Sequence, residues 1–511
     1  MSFKLRDFLL PLILACGLTF VFLRFVGERG AGTRADQLAS GRRHVTTDEF
    51  QHAINREIDF IDSEKQEENL TVVETDYGRV TFTNVGGALQ KLEFKHDVSP
   101  EHDWITTIDA KSNEDKSFLI ALEGPSPLYY KQDSYFDGPD KAQVSYSVQF
   151  DKGTITKRFS IYKRINKIEL LVEAEPKSVS APLRMRLFYP APFIQELSKN
   201  QVNGVFIDDI NSSSVQKKPS NLLMNSMWKR PSLFGAEDKY FLNMMYKDEN
   251  IFGHRAFYRE SPDGLLTAVL EAYPLKEKKD YFLSFYFGPK KMFAMSAVDP
   301  MLEKTLDYGF LAPVSKLLLK ILNFFYGYVH NYGWAILLLT LLLKLLMAPF
   351  TFRAEGDDEK RKEYQKKMKQ IDEMYKGDSE RLNAAKAALF KEHGIPGMGG
   401  CIPILLQFPI FIALNRLLSY SLELYDAPFL WIPDLSGYDP FYILPLLCGG
   451  SIIAHAYTSM NDPQQRSVSF IFGGIITIVS AGFPSGLVLF IFASTALTVA
   501  QSQIVKLFKR V

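Results

Sequence analysis

Cysteine is scarce. The 511-residue chain carries three, Cys16, Cys401 and Cys448, so residues 17–400 hold none. That excludes a disulfide framework for the large middle of the chain, which must be held by its own core. Net charge is missing too, at +1, and bulk electrostatics therefore argue neither for nor against a nucleic-acid partner. The short motifs that carry chemistry are also lacking. No G-x-S-x-G, H-E-x-x-H or Gly-rich phosphate loop occurs. His44, His52, His96, His102 and His254 sit at no metal-ligand spacing from one another. An enzyme, a cofactor and a metal centre are not expected, and the polar part reads as a binding or scaffolding domain.

The most informative shortage is of charge over long distances. Residues 467–505, 39 in all, contain no Asp, Glu, Lys or Arg. As helix that run would be roughly 58 Å long, about twice a hydrocarbon core of roughly 30 Å. It reads as two helices joined by the turn Phe483-Pro484-Ser485-Gly486. Four further apolar runs cover residues 8–26, 334–351, 401–421 and 440–460. Six membrane spans follow.

Orientation comes from the basic residues of the loops. Residues 353–400 hold eleven Lys and Arg, whereas 422–439 hold none, only Glu423, Asp426, Asp434 and Asp439. The first segment and the tail with Lys506, Lys509 and Arg510 belong in the cytoplasm, as do both termini, and the 27–330 segment lies outside. The flanks of the first span argue the other way, with Arg24, Arg29, Arg34, Arg42 and Arg43 at or beyond its far end. A long translocated domain is less bound by the rule, so the later loops prevail. The first span reads as an uncleaved anchor; Ile13-Leu14-Ala15-Cys16 only loosely resembles a lipoprotein cleavage site.

The expected organisation is an anchor at 1–26, a charged linker at 27–66 and an exported domain at 67–300. An interfacial amphipathic helix at 301–330 and the second span at 331–352 follow. A cytoplasmic helical hairpin at 353–400, four spans within 401–505 and a tail at 506–511 complete it. From Leu70 apolar and polar residues alternate between Gly-containing turns, as in TVVETDYGRVTFTNVGGALQKLEF, the signature of half-buried strands. Asp151-Lys152-Gly153 reads as a hairpin turn, and an all-β sandwich of antiparallel strands is the simplest architecture. In the hairpin, Tyr364, Met368, Ile371, Leu382 and Leu389 form a narrow apolar seam broken at Lys376-Gly377-Asp378. It suits either a solvated spacer or a docking paddle.

One cation interrupts the leucines. In LLLTLLLKLLMAPF, Lys344 follows Thr340 by one turn on the same face. A charge at that depth costs about 2.5–3.5 kcal/mol on insertion scales. Two readings stand: a lysine snorkelling to the inner interface, easily done if the helix ends at Pro349, or a cation in a wet cavity. Gln407, His455, Ser494, Thr495, Thr498, Gln501 and Gln503 add polar groups to the other spans. Singly each is ordinary interhelical glue; together they suggest a groove, with no membrane carboxylate to neutralise Lys344. Arg416, in the third span, would reach Glu423 or Asp426.

The motifs LDYGFLAPVSKLLLKIL, NYGWAILLLTLLLKLLMAPFT, GGCIPILLQFPIFIAL, DPFYILPLL and FPSGLVLFI, in that order, resemble those of the YidC-type membrane protein insertases of bacteria. The order of elements matches as well, over essentially the whole chain. The resemblance implies an inner-membrane protein with a periplasmic domain that takes hydrophobic segments from the cytoplasm and releases them sideways into lipid. It also implies a hydrophilic groove holding one basic residue, at Lys344, with Thr340, Gln407, Ser494, Thr495 and Gln501 beside it, and a greasy slide at Phe408 and Phe411. Aromatic hydroxyls of better-known relatives are replaced on the last span by Phe490 and Ile491. Implied partners are nascent membrane proteins and the bilayer, with the Sec translocon, ribosome and signal recognition particle pathway as candidates and no direct nucleic acid. The competing class is a secondary transporter or channel using Lys344 as substrate or proton site; the absence of internal repeats weighs against it.

Overall fold

A computed structural model describes residues 58–508 apart from 62–66, 97–103, 180–181, 195–201, 208–214, 224–225, 262–263, 307–310, 357–365, 369, 394–406, 408, 419–420 and 460–462. The expected anchor with Cys16, most of the linker, Tyr364, Cys401 and Phe408 lie outside the described residues. What is described separates into two compact units, one before and one after residues 307–308.

The first unit is rich in β-sheet. Its largest sheet has nine strands in the order Gln216–Pro219, Asn203–Ile207, Leu233–Glu237, Phe241–Glu249, Lys279–Pro289, Lys167–Pro176, Gly153–Tyr162, Lys141–Phe150 and Lys131–Asp137, every pair antiparallel. A five-stranded sheet runs Met227–Lys229, Arg255–Glu260, Leu266–Glu271, Met185–Pro190, Leu119–Leu122, and a four-stranded one Leu70–Glu74, Gly78–Thr83, Ala88–Lys95, Trp104–Asp109. The hairpin at Asp151–Lys152 forms where expected, with Gly153 paired to Phe150. Only glycine fits there, since a Cβ would collide with the Glu175 carbonyl oxygen.

Aromatic side chains join the sheets. Phe118 meets Phe159, Phe285 and Phe287, and Phe82 meets Phe159. Two buried phenols, Tyr189 and Tyr258, avoid the cost of an unmade hydrogen bond by donating across the same interface. Tyr189 bonds the Phe234 carbonyl at 3.0 Å, and Tyr258 bonds that of Gly235 at 2.6 Å. Two short helices, α1 (Met292–Ser296) and α2 (Pro300–Glu303), end the unit. Their Met295 and Leu302 enter the core beside Val205, Leu233 and Tyr286. Residues 300–303 thus belong to the β-rich unit rather than to the expected 301–330 helix.

That helix is shorter: α3 spans Ala312–Val329 and stops at left-handed His330. It buries Ser315, Leu318, Leu319 and Leu322 and exposes Leu317, Lys320, Phe324 and Tyr328. Further helices are α4 (Tyr332–Gly356), α5 (Ser379–His393), α6 (Pro409–Leu418), α7 (Ile443–Ser459), α8 (Pro463–Ser480) and α9 (Ser485–Phe508), and residues 366–374 are helical where described. Two stretches are long and apolar enough to cross a membrane, Tyr332–Pro349 and Ser485–Ile504, and the described parts of three other apolar helices are shorter. Helix α4 continues through Pro349 instead of ending there. The uncharged 467–505 run divides into α8 and α9 at the expected turn.

Residues 421–439 fold over the N-terminal ends of α4 and α9. Phe429 packs so closely on Gly333 that a Cβ would meet its ring, and it lies edge-on to Trp334 at 5.5 Å. Asn331 caps α4 through its carbonyl oxygen while its amide donates to the Pro428 carbonyl at 3.0 Å. The Ser485 and Gly486 N–H groups donate to Gly437 and Leu435 at 2.7 and 2.9 Å. Two carboxylates organise this cap. Asp434 accepts from the Asp426 and Ser436 backbones, and Asp439 from Trp431 and from Phe441 and Leu444 at the start of α7.

Candidate functional site

Leucine-rich α4 and the uncharged first half of α9 pack side by side. Ala335, Ile336, Leu339 and Thr340 are buried on α4, as are Leu487 to Phe490, Ala493 and Ser494 on α9. The two helices run in the same direction: Ile336 lies beside Gly486 near their starts, and Lys344 reaches Thr498 farther along. Lys344 comes 12 residues after Tyr332 and Thr498 comes 13 after Ser485. At about 1.5 Å per residue they lie at nearly equal depth, roughly 18 and 20 Å from the helix starts.

The ammonium of half-buried Lys344 donates to Thr498 Oγ1 at 2.9 Å. The Thr498 hydroxyl proton goes to the Ser494 carbonyl, also at 2.9 Å. Thr498 is therefore committed as donor to its own helix and offers its lone pairs to the lysine. No acidic side chain is ion-paired with Lys344 among the described residues.

The other expected site residues divide unevenly. Thr340 is fully buried and turned back on its own helix, donating to the Ile336 carbonyl at 2.7 Å. Thr495 does likewise with Ile491 at 2.8 Å. Ser494 is buried, and its carbonyl anchors Thr498. Gln501, one turn beyond Thr498, has a buried Nε2 that makes no hydrogen bond among the described residues. Gln407 is half-buried, and no hydrogen bond links it to Lys344 or Thr498. Phe411 is half-buried on α6, which Ser315 of α3 touches by donating to the Ala413 carbonyl at 3.2 Å. Arg416 is half-buried, and the expected ion pair with Glu423 or Asp426 is not found among the described residues; Glu423 accepts from Ser421 instead.

Of the expected hairpin seam, Met368, Ile371 and Leu382 are half-buried and Leu389 is buried. Lys386 and Asp372 join its two arms at 2.6 Å. Sequence reasoning did not single out Thr498 from its polar neighbours. Counting depth from the two helix starts would have paired it with Lys344.

Residues 324–510 match the family model described as 60Kd inner membrane protein. A membrane protein insertase YidC of Geobacter metallireducens is 29% identical over 460 residues, covering 85% of each chain. One of Geotalea daltonii is 30% identical over 461 residues, covering 84% of this chain and 85% of its own. That of Magnetococcus marinus reaches 40% over 225 residues, 43% of this chain and 40% of its own. Among solved structures, an active YidC insertase with its first transmembrane domain resolved aligns with 87% of this chain and 94% of its own. Its identity is 17% and its TM-score 0.38, so the fold rests on this chain's own strands and helices.

Proposed function

The chain belongs to the YidC family of membrane protein insertases, and from that premise we propose that it passes hydrophobic segments of nascent membrane proteins into the bilayer along the α4–α9 gap. The Lys344–Thr498 bond carries this reading. In the expected orientation both helices begin at the outer face, so the pair lies roughly 18–20 Å inward, beyond the middle of a core of about 30 Å. A cation there costs about 2.5–3.5 kcal/mol unless polar groups or water accompany it. Ser494, Thr495, Thr498 and Gln501 supply such company on α9.

Snorkelling is the weaker account. Helix α4 runs 12 residues past Lys344 to Gly356, roughly 18 Å. Side chains on a helix also lean toward its N-terminus, which here means away from the cytoplasm. The ammonium points sideways to a neighbour at its own depth instead. The cap of residues 421–439 over the outer ends supports a cavity closed outward and open inward.

In this reading six spans cross the bilayer: residues 8–26, α4, the segment containing α6, α7, α8 and α9. The β-rich unit is a periplasmic sandwich. The exposed Leu317, Lys320, Phe324 and Tyr328 stripe of α3 lies at headgroup level, where aromatic rings and a lysine stem are both accommodated. An acidic outer tail of the substrate is drawn toward Lys344 while its apolar helix slides along Phe408, Phe411 and α9 into lipid. Only the outer half of the membrane then remains to be crossed, which lowers the desolvation barrier. The membrane potential contributes about 2.3 kcal/mol per charge per 100 mV. The hairpin seam of Tyr364, Met368, Ile371, Leu382 and Leu389 docks a cytoplasmic partner, for which ribosome, signal recognition particle pathway and Sec translocon are the candidates.

Photo-crosslinkers at Phe411 and Lys344, presented with a stalled nascent single-span protein, test the route. Adducts at both positions are expected. Efficient insertion with no adduct at either would refute it.

A further inference from the structure

The groove reading leaves one matter open: what holds a long, flexible lysine at a single depth. We infer that Thr498 is the positioning residue for Lys344, an inference that rests on the groove reading. Four rotatable bonds separate the ammonium from the backbone of α4, so the helix alone does not place it. Thr498 does so for three reasons. Its Oγ1 is the ammonium's hydrogen-bond acceptor, at 2.9 Å. Its own proton is occupied by the Ser494 carbonyl, which turns the lone pairs toward α4. Its Cβ is branched, and the bond to the preceding turn holds the side chain in one rotamer.

The tether has a chemical consequence. A lysine ammonium has three N–H donors, and the Thr498 bond uses one. The other two make no hydrogen bond among the described residues. One turn farther, Gln501 Nε2 is a donor without an acceptor among the described residues. The groove therefore offers donors in excess, and a carboxylate or an unpaired backbone carbonyl of the entering segment is the complement. Without Thr498 the ammonium would relax along the helix axis, and the charge would no longer meet the incoming tail at one depth.

The test uses the full-length protein in proteoliposomes and two substrates that differ only in an acidic or an uncharged outer tail. The quantity read is the ratio of their insertion rates. Thr498→Val keeps the shape and removes the hydroxyl; the ratio should fall about tenfold, as expected for loss of a contact to a charged group. Thr498→Ser restores an acceptor and should restore the ratio. In a Lys344→Met background, Thr498→Val should leave the already lowered ratio where it is. An unchanged ratio in Thr498→Val beside a reduced one in Lys344→Met would overturn the positioning role and leave the groove standing. A loss that serine does not rescue, or that affects both substrates alike, would make Thr498 a packing residue and overturn it as well. No change with Lys344→Met would overturn the groove reading itself, and this inference with it.

Discussion

Lys157 and Lys344 are both withdrawn from solvent with no carboxylate partner among the described residues, and their surroundings differ. Lys157, in the nine-stranded sheet, is fully enclosed. Its ammonium donates to the carbonyls of Gly86 at 2.6 Å and Phe118 at 2.9 Å and faces the Tyr130 ring at 4.7 Å. Those partners belong to segments leading into the four- and five-stranded sheets, so one side chain clasps three sheets. Burial holds its pKa well below the usual lysine range. Lys344 is half-buried and has one acceptor, Thr498. The difference lies in how many acceptors the fold supplies. Lys157 donates to two carbonyls and faces a ring, whereas Lys344 donates to one hydroxyl and, in the proposed reading, keeps donors for an arriving segment.

The largest effect that would break this contrast concerns Lys157. Lys157→Ala leaves two buried carbonyls without a donor and opens a cavity, so thermal unfolding of the β-rich unit should register a loss of about 3–5 kcal/mol. Acidic-tail selectivity of whatever protein remains folded should persist. A variant as stable as the parent would show that the clasp is dispensable.

Lys344 should respond the other way. Lys344→Ala removes a costly charge and leaves stability within about 1 kcal/mol. Insertion of acidic-tailed substrates should nevertheless fall by about tenfold, and further with Lys344→Glu. Lys344→Arg keeps the charge and should keep insertion. Equal rates for all three variants in a reconstituted assay would erase the functional half of the contrast.

A smaller effect sharpens the picture of the β-rich unit as internally closed. Buried Glu237 loses solvation, but Lys217 and Lys290 overcome that and hold its pKa below the usual range. Next to it, burial pushes Asp238 up to about 6, against the Phe241 and Tyr240 N–H groups and Lys290. A raised carboxyl pKa means that the proton favours the folded chain. Asp238's contribution is therefore complete below its ordinary pKa near 4 and is lost as pH rises through about 6. Asp238→Asn should remove that loss, on the order of 3 kcal/mol at pH 7, and leave the opposite trend of Glu237 exposed. An unfolding-temperature profile between pH 4 and 8 identical to the parent's would exclude Asp238 as its source. The smallest change expected is Ser315→Ala, which removes the α3–α6 hydrogen bond and should cost about 1 kcal/mol.

The two regions also differed in how much could be read in advance. Strand alternation and the Asp151-Lys152-Gly153 turn were legible because a half-buried strand repeats every two residues and a tight turn needs a particular backbone. The extent of α3 was not, because Pro300–Glu303 is apolar enough to read as part of that helix and packs instead into the β-rich core. The division of the uncharged run into α8 and α9 followed from length alone. Arg416 was expected to find a partner in Glu423 or Asp426 by proximity in sequence, which says nothing about side-chain direction.

By itself the sequence set where hydrocarbon and water are expected to meet the chain. Apolar run lengths, loop charge and strand period are local quantities, and the cost of violating them is paid residue by residue. It also determined that a single cation would lie among the leucines at 344. Whether that cation strays to the interface or is held in place depended on something no local pattern contains. Residues 154 positions apart had to arrive at one depth on adjacent helices, with the Thr498 hydroxyl already committed to its own carbonyl. A hydrogen bond acts over about 3 Å, so only the packing of α4 against α9 could decide it.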